Sequence, residues 1–195
     1  MKTLEKILIA MAFLGLVFQY LHWPGANELQ LLGLSLLAQL YFIFGFALFN
    51  QIRFRKIGRK SFSEVGSAKI IGAIGSGIPT ALVILGILFK IQLWQGRDDL
   101  LGTSLYLLLP VVIFLFLKRS DRYYRVMIKR VSVLTLVGLF FFSLSTRNLV
   151  AWNLRDTPEL IQPHIDFLEN PNKETKENLK NARNALRSNE LHPRN

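Results

Sequence analysis

The chain reads Leu14-Gly15-Leu16-Val17-Phe18-Gln19-Tyr20-Leu21-His22-Trp23-Pro24-Gly25, and 71 residues later Leu85-Gly86-Ile87-Leu88-Phe89-Lys90-Ile91-Gln92-Leu93-Trp94-Gln95-Gly96. Each copy is an apolar stretch that ends in Trp and a glycine-containing turn, and a second apolar stretch follows. The pattern reads as an internal repeat whose unit is a hairpin of two membrane helices. Pro24 presets φ and Gly25 supplies the freedom to turn, so the first helix stops there and the chain returns after very few residues.

Working outward, 51% of the 195 residues are apolar, and they come in long runs instead of at the spacing of a soluble core. A bilayer core about 30 Å thick needs about 20 residues of helix, because unpaired backbone groups are too costly in hydrocarbon. Five segments qualify: Leu4 to Tyr20, Leu29 to Phe49, Ile70 to Leu93, Leu100 to Leu117 and Val131 to Trp152. The expected fold is therefore all-α, a polytopic bundle of about five transmembrane helices, two tandem hairpins plus one, over residues 1–152. Residues 153–195 form a polar helical tail. The first segment reads as a retained helix and not a cleaved signal, since Gln19, Tyr20, His22, Trp23 and Pro24 follow its apolar part where small residues would be needed.

The formal charge of +11 is placed in alternate loops. Lys2 and Lys6 precede the first helix; Arg53, Arg55, Lys56, Arg59, Lys60 and Lys69 fill the second loop; Lys118, Arg119, Arg122, Arg125, Lys129 and Arg130 fill the fourth. The first and third loops carry only Arg97. The positive-inside rule then puts the amino terminus and the basic loops in the cytoplasm of a bacterial inner membrane and the Trp turns outside, with the tail periplasmic. The basic loops are matched to anionic lipid head groups rather than to nucleic acid. Trp23, Trp94 and Trp152 all fall at the same expected outer interface, which suits the indole. With no cysteine, no disulfide or thiolate metal site is available.

At His22-Trp23-Pro24-Gly25-Ala26 a resemblance enters. An apolar helix with glycine, then Leu or Phe-Lys-Ile, then His-Trp-Pro-Gly-Ala and a second apolar helix, is similar to the amino-terminal membrane hairpin of GldL-like gliding-motility proteins. Those proteins are inner-membrane components of the gliding and type 9 secretion machinery of Bacteroidota-type bacteria. The first copy keeps His22-Trp23-Pro24-Gly25-Ala26, and the second keeps Leu88-Phe89-Lys90-Ile91-Gln92 but has Trp94-Gln95-Gly96 at the turn. The resemblance covers about residues 4 to 50 and 81 to 117. It implies a subunit that works with a partner, and in the family a lysine of the first helix and a carboxylate of the second serve the proton gradient. Lys90 matches that lysine, while the second helices as bounded above contain no Asp or Glu.

Lys90 is the one basic residue deep in an expected span, either snorkelling to the head groups about 6 Å away or holding a paired or gating role. Gln19 occupies the equivalent position in the first copy. Ala68, Gly72, Ser76 and Thr80 recur every four residues and put a small-residue stripe on the third helix, which permits close helix contact. Pro79 and Pro110 stand inside the third and fourth spans, and Gln39 and Gln92 are expected to hydrogen-bond between helices. Gly66 to Gly77 is glycine-rich but lacks the ending of a phosphate loop.

The tail has two helix starts, at Asp156-Thr157-Pro158-Glu159 and at Asn170-Pro171-Asn172. Its seven basic and seven acidic residues cancel, and Leu179, Ala182 and Leu186 line one face of its last helix, too little for an independent core. His164 and His192 are too far apart for a metal site, and Asp98-Asp99 belongs to no catalytic constellation. The reading is a non-enzymatic subunit or scaffold of an envelope assembly, with no cofactor and no metal. Its interaction residues are Lys90, Gln19, His22, Trp23, Pro24, Gly25, Trp94, Gly96, Gly72 and Ser76, and its partners are other membrane subunits or further copies of itself. The alternative is a small ion or solute transporter that uses Lys90.

Overall fold

A computed structural model describes residues 2–49 and 67–191. The basic residues Arg53, Arg55, Lys56, Arg59 and Lys60 expected in the second loop, and His192, lie outside the described residues. Five long helices come first: α1 Lys2–Tyr20, α2 Ala26–Phe49, α3 Ser67–Ile91, α4 Arg97–Leu117 and α5 Arg122–Ser143. Among the described residues these five are long and apolar enough to cross a membrane. The all-α bundle expected from the apolar runs is what the chain forms.

The boundaries differ from those read from hydropathy, and each difference has a cause. Helices α2 and α4 begin three residues early, which brings Glu28, Asp98 and Asp99 into their first turns, where the exposed N–H groups favour negative charge. The second helices are therefore not free of carboxylates. Helix α5 lies nine residues toward the amino terminus of the expected 131–152 segment. Arg125, Lys129 and Arg130 are good helix formers, so the helix runs on through basic residues that a hydropathy window excludes. Trp152 consequently falls outside the five apolar helices.

From Leu144 onward the described residues form a second compact unit. Ser145 precedes α6, Thr146–Asn153; a 3-10 turn, Pro158–Leu160, leads into α7, Ile161–Glu169; and α8 is Lys173–Leu191. The first expected helix start opens a 3-10 turn with Thr157 at its cap, ahead of α7, and the second opens α8. At the second, the Thr175 amide donates to Asn172 Oδ1 at 2.8 Å and the Asn172 amide donates to Thr175 Oγ1 at 3.2 Å, a reciprocal capping box. Helix α7 packs between α6 and α8, and Leu149, Val150, Ile165 and Leu179 are buried. Leu149 and Val150 fall in the fifth span as read from hydropathy; as part of α6 they supply apolar surface that the tail otherwise lacks. On the outside of this unit Arg147 Nε donates to Glu169 Oε1 at 3.2 Å, and that bond holds the guanidinium pKa above its ordinary value.

In the first unit, Gln30 of α2 meets Gln92 just past α3, whereas Gly45 of α2 lies against Gly77 of α3. Helices α2 and α3 are thus antiparallel and both Trp turns lie at one end. Helix α3 packs on α2, α4 and α5, and its Ala73, Val83, Ile84 and Leu88 are fully enclosed. Close approach depends on glycine at equivalent places in the two hairpins. A Cβ on Gly15 would lie 2.7 Å from Gln30 Cγ and 2.9 Å from the Gln30 backbone nitrogen; one on Gly86 would lie 2.8 Å from Leu101 Cα. Gly77 is as tight, 2.8 Å from the Tyr41 carbonyl, while Gly75 two residues earlier has nothing within 4 Å. Replacing Gly86 with Val is expected to lower stability in detergent by about 1–3 kcal/mol through overpacking, whereas Gly75→Ala leaves it level or higher. Thermal unfolding midpoints of the two variants check this directly.

Candidate functional site

The two turns are built alike, bond for bond. In the first, His22 takes a left-handed backbone, φ 55°, its N–H donates to the Gln19 carbonyl at 3.2 Å, and the Trp23 N–H reaches back to the Phe18 carbonyl at 2.8 Å. In the second, Leu93 has φ 55°, its N–H donates to the Lys90 carbonyl at 3.4 Å, and the Trp94 N–H donates to the Phe89 carbonyl at 3.0 Å. This is the Schellman cap, which gives partners to carbonyls that a helix end leaves unpaired. Trp23 packs edge-on against Phe18 with ring centroids 5.2 Å apart, and Trp94 against Phe89 at 4.8 Å. The tryptophans are thus cap residues, a role that an interface reading does not reveal. Gly25, φ 87°, and Gly96, φ 72°, then accept the first helical bonds of α2 and α4, from Leu29 and Leu100.

Lys90 lies just below the second turn and is only 2% exposed. Its ammonium pairs with Asp98 Oδ1 in the first turn of α4, and Arg97 Nε lies 3.5 Å from the other oxygen of the same carboxylate. The lysine is thus paired: Asp98, half-exposed, brings a counter-ion to it. Gln19, its counterpart, accepts a 2.6 Å bond from Gln30 Nε2, which also lies 3.0 Å from the Gly15 carbonyl, while Gln92 Nε2 donates to Gln30 Oε1 at 3.1 Å. Gln30, fully buried, therefore ties α1, α2 and the end of α3 together. Gln39, expected to bond between helices, is exposed.

At the opposite end of the bundle stands a group that sequence reasoning missed. Glu5, 7% exposed, accepts the Tyr41 hydroxyl proton at 2.6 Å through Oε1 and an Arg130 Nη2 bond at 2.9 Å through Oε2. It links α1, α2 and α5 through one carboxylate. The positive-inside rule counts only Lys and Arg, so Glu5 carries no weight in it and Arg130 enters only as a loop charge. The signal is there, an isolated acid among Lys2 and Lys6 at the start of an apolar helix. Above this group a cavity of about 510 Å³ opens between α1 and α5, floored by α2 and α3. Apolar side chains line it except at its basic end, where Glu5, Tyr41, Lys129 and Arg130 stand.

In the small-residue stripe Ser76 and Thr80 are buried, while Gly72 makes no close helix contact. Ser76 Oγ bonds to the Gly72 carbonyl of its own helix at 2.7 Å, and a Cβ on Gly72 would meet only a Tyr124 ring carbon at 3.9 Å. The tight seam lies on the neighbouring face, at Gly77 and Gly45. His22, Trp23, Pro24 and Gly25 are exposed around the first turn, as are Trp94 and Gly96 around the second. Among the described residues no three His, Asp or Glu side chains are grouped as metal ligands.

Fold and site together define the class: a helical bundle of membrane type with two like-capped hairpins, a fifth helix and paired buried charges. No family model matches the chain, and neither a curated protein nor a solved structure matches it.

Two outcomes follow from this geometry. His22→Gly removes a left-handed non-glycine residue at an exposed position and should raise stability by about 1 kcal/mol, read as a higher unfolding midpoint. Glu5→Gln leaves Arg130 without its carboxylate and should cost about 3–5 kcal/mol, and the double variant Glu5→Gln with Arg130→Met should recover part of that loss in a double-mutant cycle.

Proposed function

We propose that this chain is a non-enzymatic multi-pass protein of a bacterial inner membrane, a subunit or scaffold of a larger envelope assembly built from two GldL-like hairpins and a fifth helix. The observation that carries the reading is that Lys90 and Glu5, both buried, are neutralised inside the chain by Asp98 and Arg130. A group that moves charge has to exchange partners, whereas these pairs hold helices in register. The shared cap geometry 71 residues apart supports a duplicated hairpin. In this reading the basic end faces the cytoplasm, the Trp turns face the periplasm, and exposed apolar faces of α4 and α5 meet lipid or a neighbouring subunit.

A second reading, ion or solute movement through Lys90, draws on the depth at which that lysine is buried. The two are separated by experiment. Tagged protein cross-linked in its native membrane and isolated in mild detergent should bring a stoichiometric membrane partner, and recovery alone or only as copies of itself would count against the assembly reading. In proteoliposomes, Lys90→Met should leave ion flux at the level of protein-free vesicles, as for the unaltered chain. Flux in the unaltered protein that disappears in a folded Lys90→Met variant would establish transport instead.

A further inference from the structure

The groove between α1 and α5 has a length, a lining and a charge that no part of the assembly reading uses. Along α1 its wall runs from Glu5 to Leu16 and along α5 from Lys129 to Phe141, which is about 16–18 Å at the helical rise. That is about half of the ~30 Å hydrocarbon core, the depth of one leaflet. A partner helix that spans the membrane would need a seam twice as long. Ile9, Phe13, Val133 and Val137 stand exposed at the lips, so the groove opens sideways toward surrounding lipid and its volume lies in the range of small-molecule sites.

The charge is confined to one end. Glu5 offsets one of the two cations there, Lys129 and Arg130, and leaves one positive charge; Lys129 is exposed at the rim, with Arg125 exposed one turn earlier on the same helix. An apolar trough one leaflet deep with a cationic mouth is complementary to an amphiphile with an acyl chain and an anionic head group. We propose that the groove binds one anionic phospholipid, its acyl chain lying on α1, α2, α3 and α5 and its phosphate at Lys129. The Glu5 bridge ties α1 to α5 at the bottom of the trough, so the lipid enters from the side. The assignment is independent of whether the protein serves an assembly or a transport path.

The test uses the full chain in lipid nanodiscs that contain phosphatidylglycerol or phosphatidylcholine with a photoreactive diazirine on the acyl chain. Irradiation and peptide mapping should place the label on Phe13, Val133 and Val137. Phosphatidylglycerol should label these positions about fivefold more than phosphatidylcholine, the weight of one lysine at an anionic surface. Lys129→Ala should erase that preference, Lys129→Arg should keep it, and Val133→Trp, which fills the trough from an exposed position, should reduce labelling with either lipid. Unfolding midpoints of all variants separate loss of the site from loss of the fold, and the Lys129 pair decides the matter if Val133→Trp is unstable. Equal labelling by the two lipids, label spread evenly over outward residues such as Tyr106 and Leu117, or cross-linking of the groove to a second protein chain would each overturn the proposal.

Discussion

A helix that ends where hydrocarbon meets water leaves its last carbonyls without partners, and the cost of leaving them bare is several kcal/mol each. This chain meets that constraint twice with one short device, a left-handed residue at His22 or Leu93 followed by a tryptophan whose amide reaches back five residues. Because the cap is so short, each hairpin is forced to be antiparallel and tight, and the helices meet at Gly15 and Gly86 with no room for a side chain. Helix α3 then packs on three neighbours, and the groove lies between α1 and α5.

The buried charges obey the same rule of short-range satisfaction. Lys90 finds Asp98 only eight residues later, across its own turn, while Glu5 gathers Tyr41 and Arg130 from two other helices. Pairs of this kind add little net stability over well-packed apolar residues, yet removing one member leaves the other exposed to the full desolvation cost. Their effect is to select one arrangement of helices among several that apolar surfaces alone would accept.

Helix number and type were legible because long apolar runs leave a chain few alternatives in a bilayer, and the like turns were legible because Trp and Gly recur at fixed distance. Helix limits were not. A hydropathy count stops at the first charge, whereas Asp98 suits the first turn of α4 and Arg125 is compatible with the first turn of α5. The site was half legible. Lys90 and Gln19 stood out as polar groups near a turn, but their partners Asp98 and Gln30 depended on how the turns close. Glu5 was invisible to a rule that weighs only cations, and the Gly77 seam was hidden by a stripe of small residues on the adjacent face.

Gln30 and Leu101 are counterparts in the two hairpins, one reaching across to Gln92 and the other wholly apolar. Two like hairpins in one chain could in principle exchange places, or pair with the matching hairpin of a second molecule. At this position only the first carries the amide hook, and Gln92 at the end of α3 answers it. The hydrogen bond thus works, beside the Glu5 bridge and the Lys90–Asp98 pair, as one key that tells two similar hairpins apart.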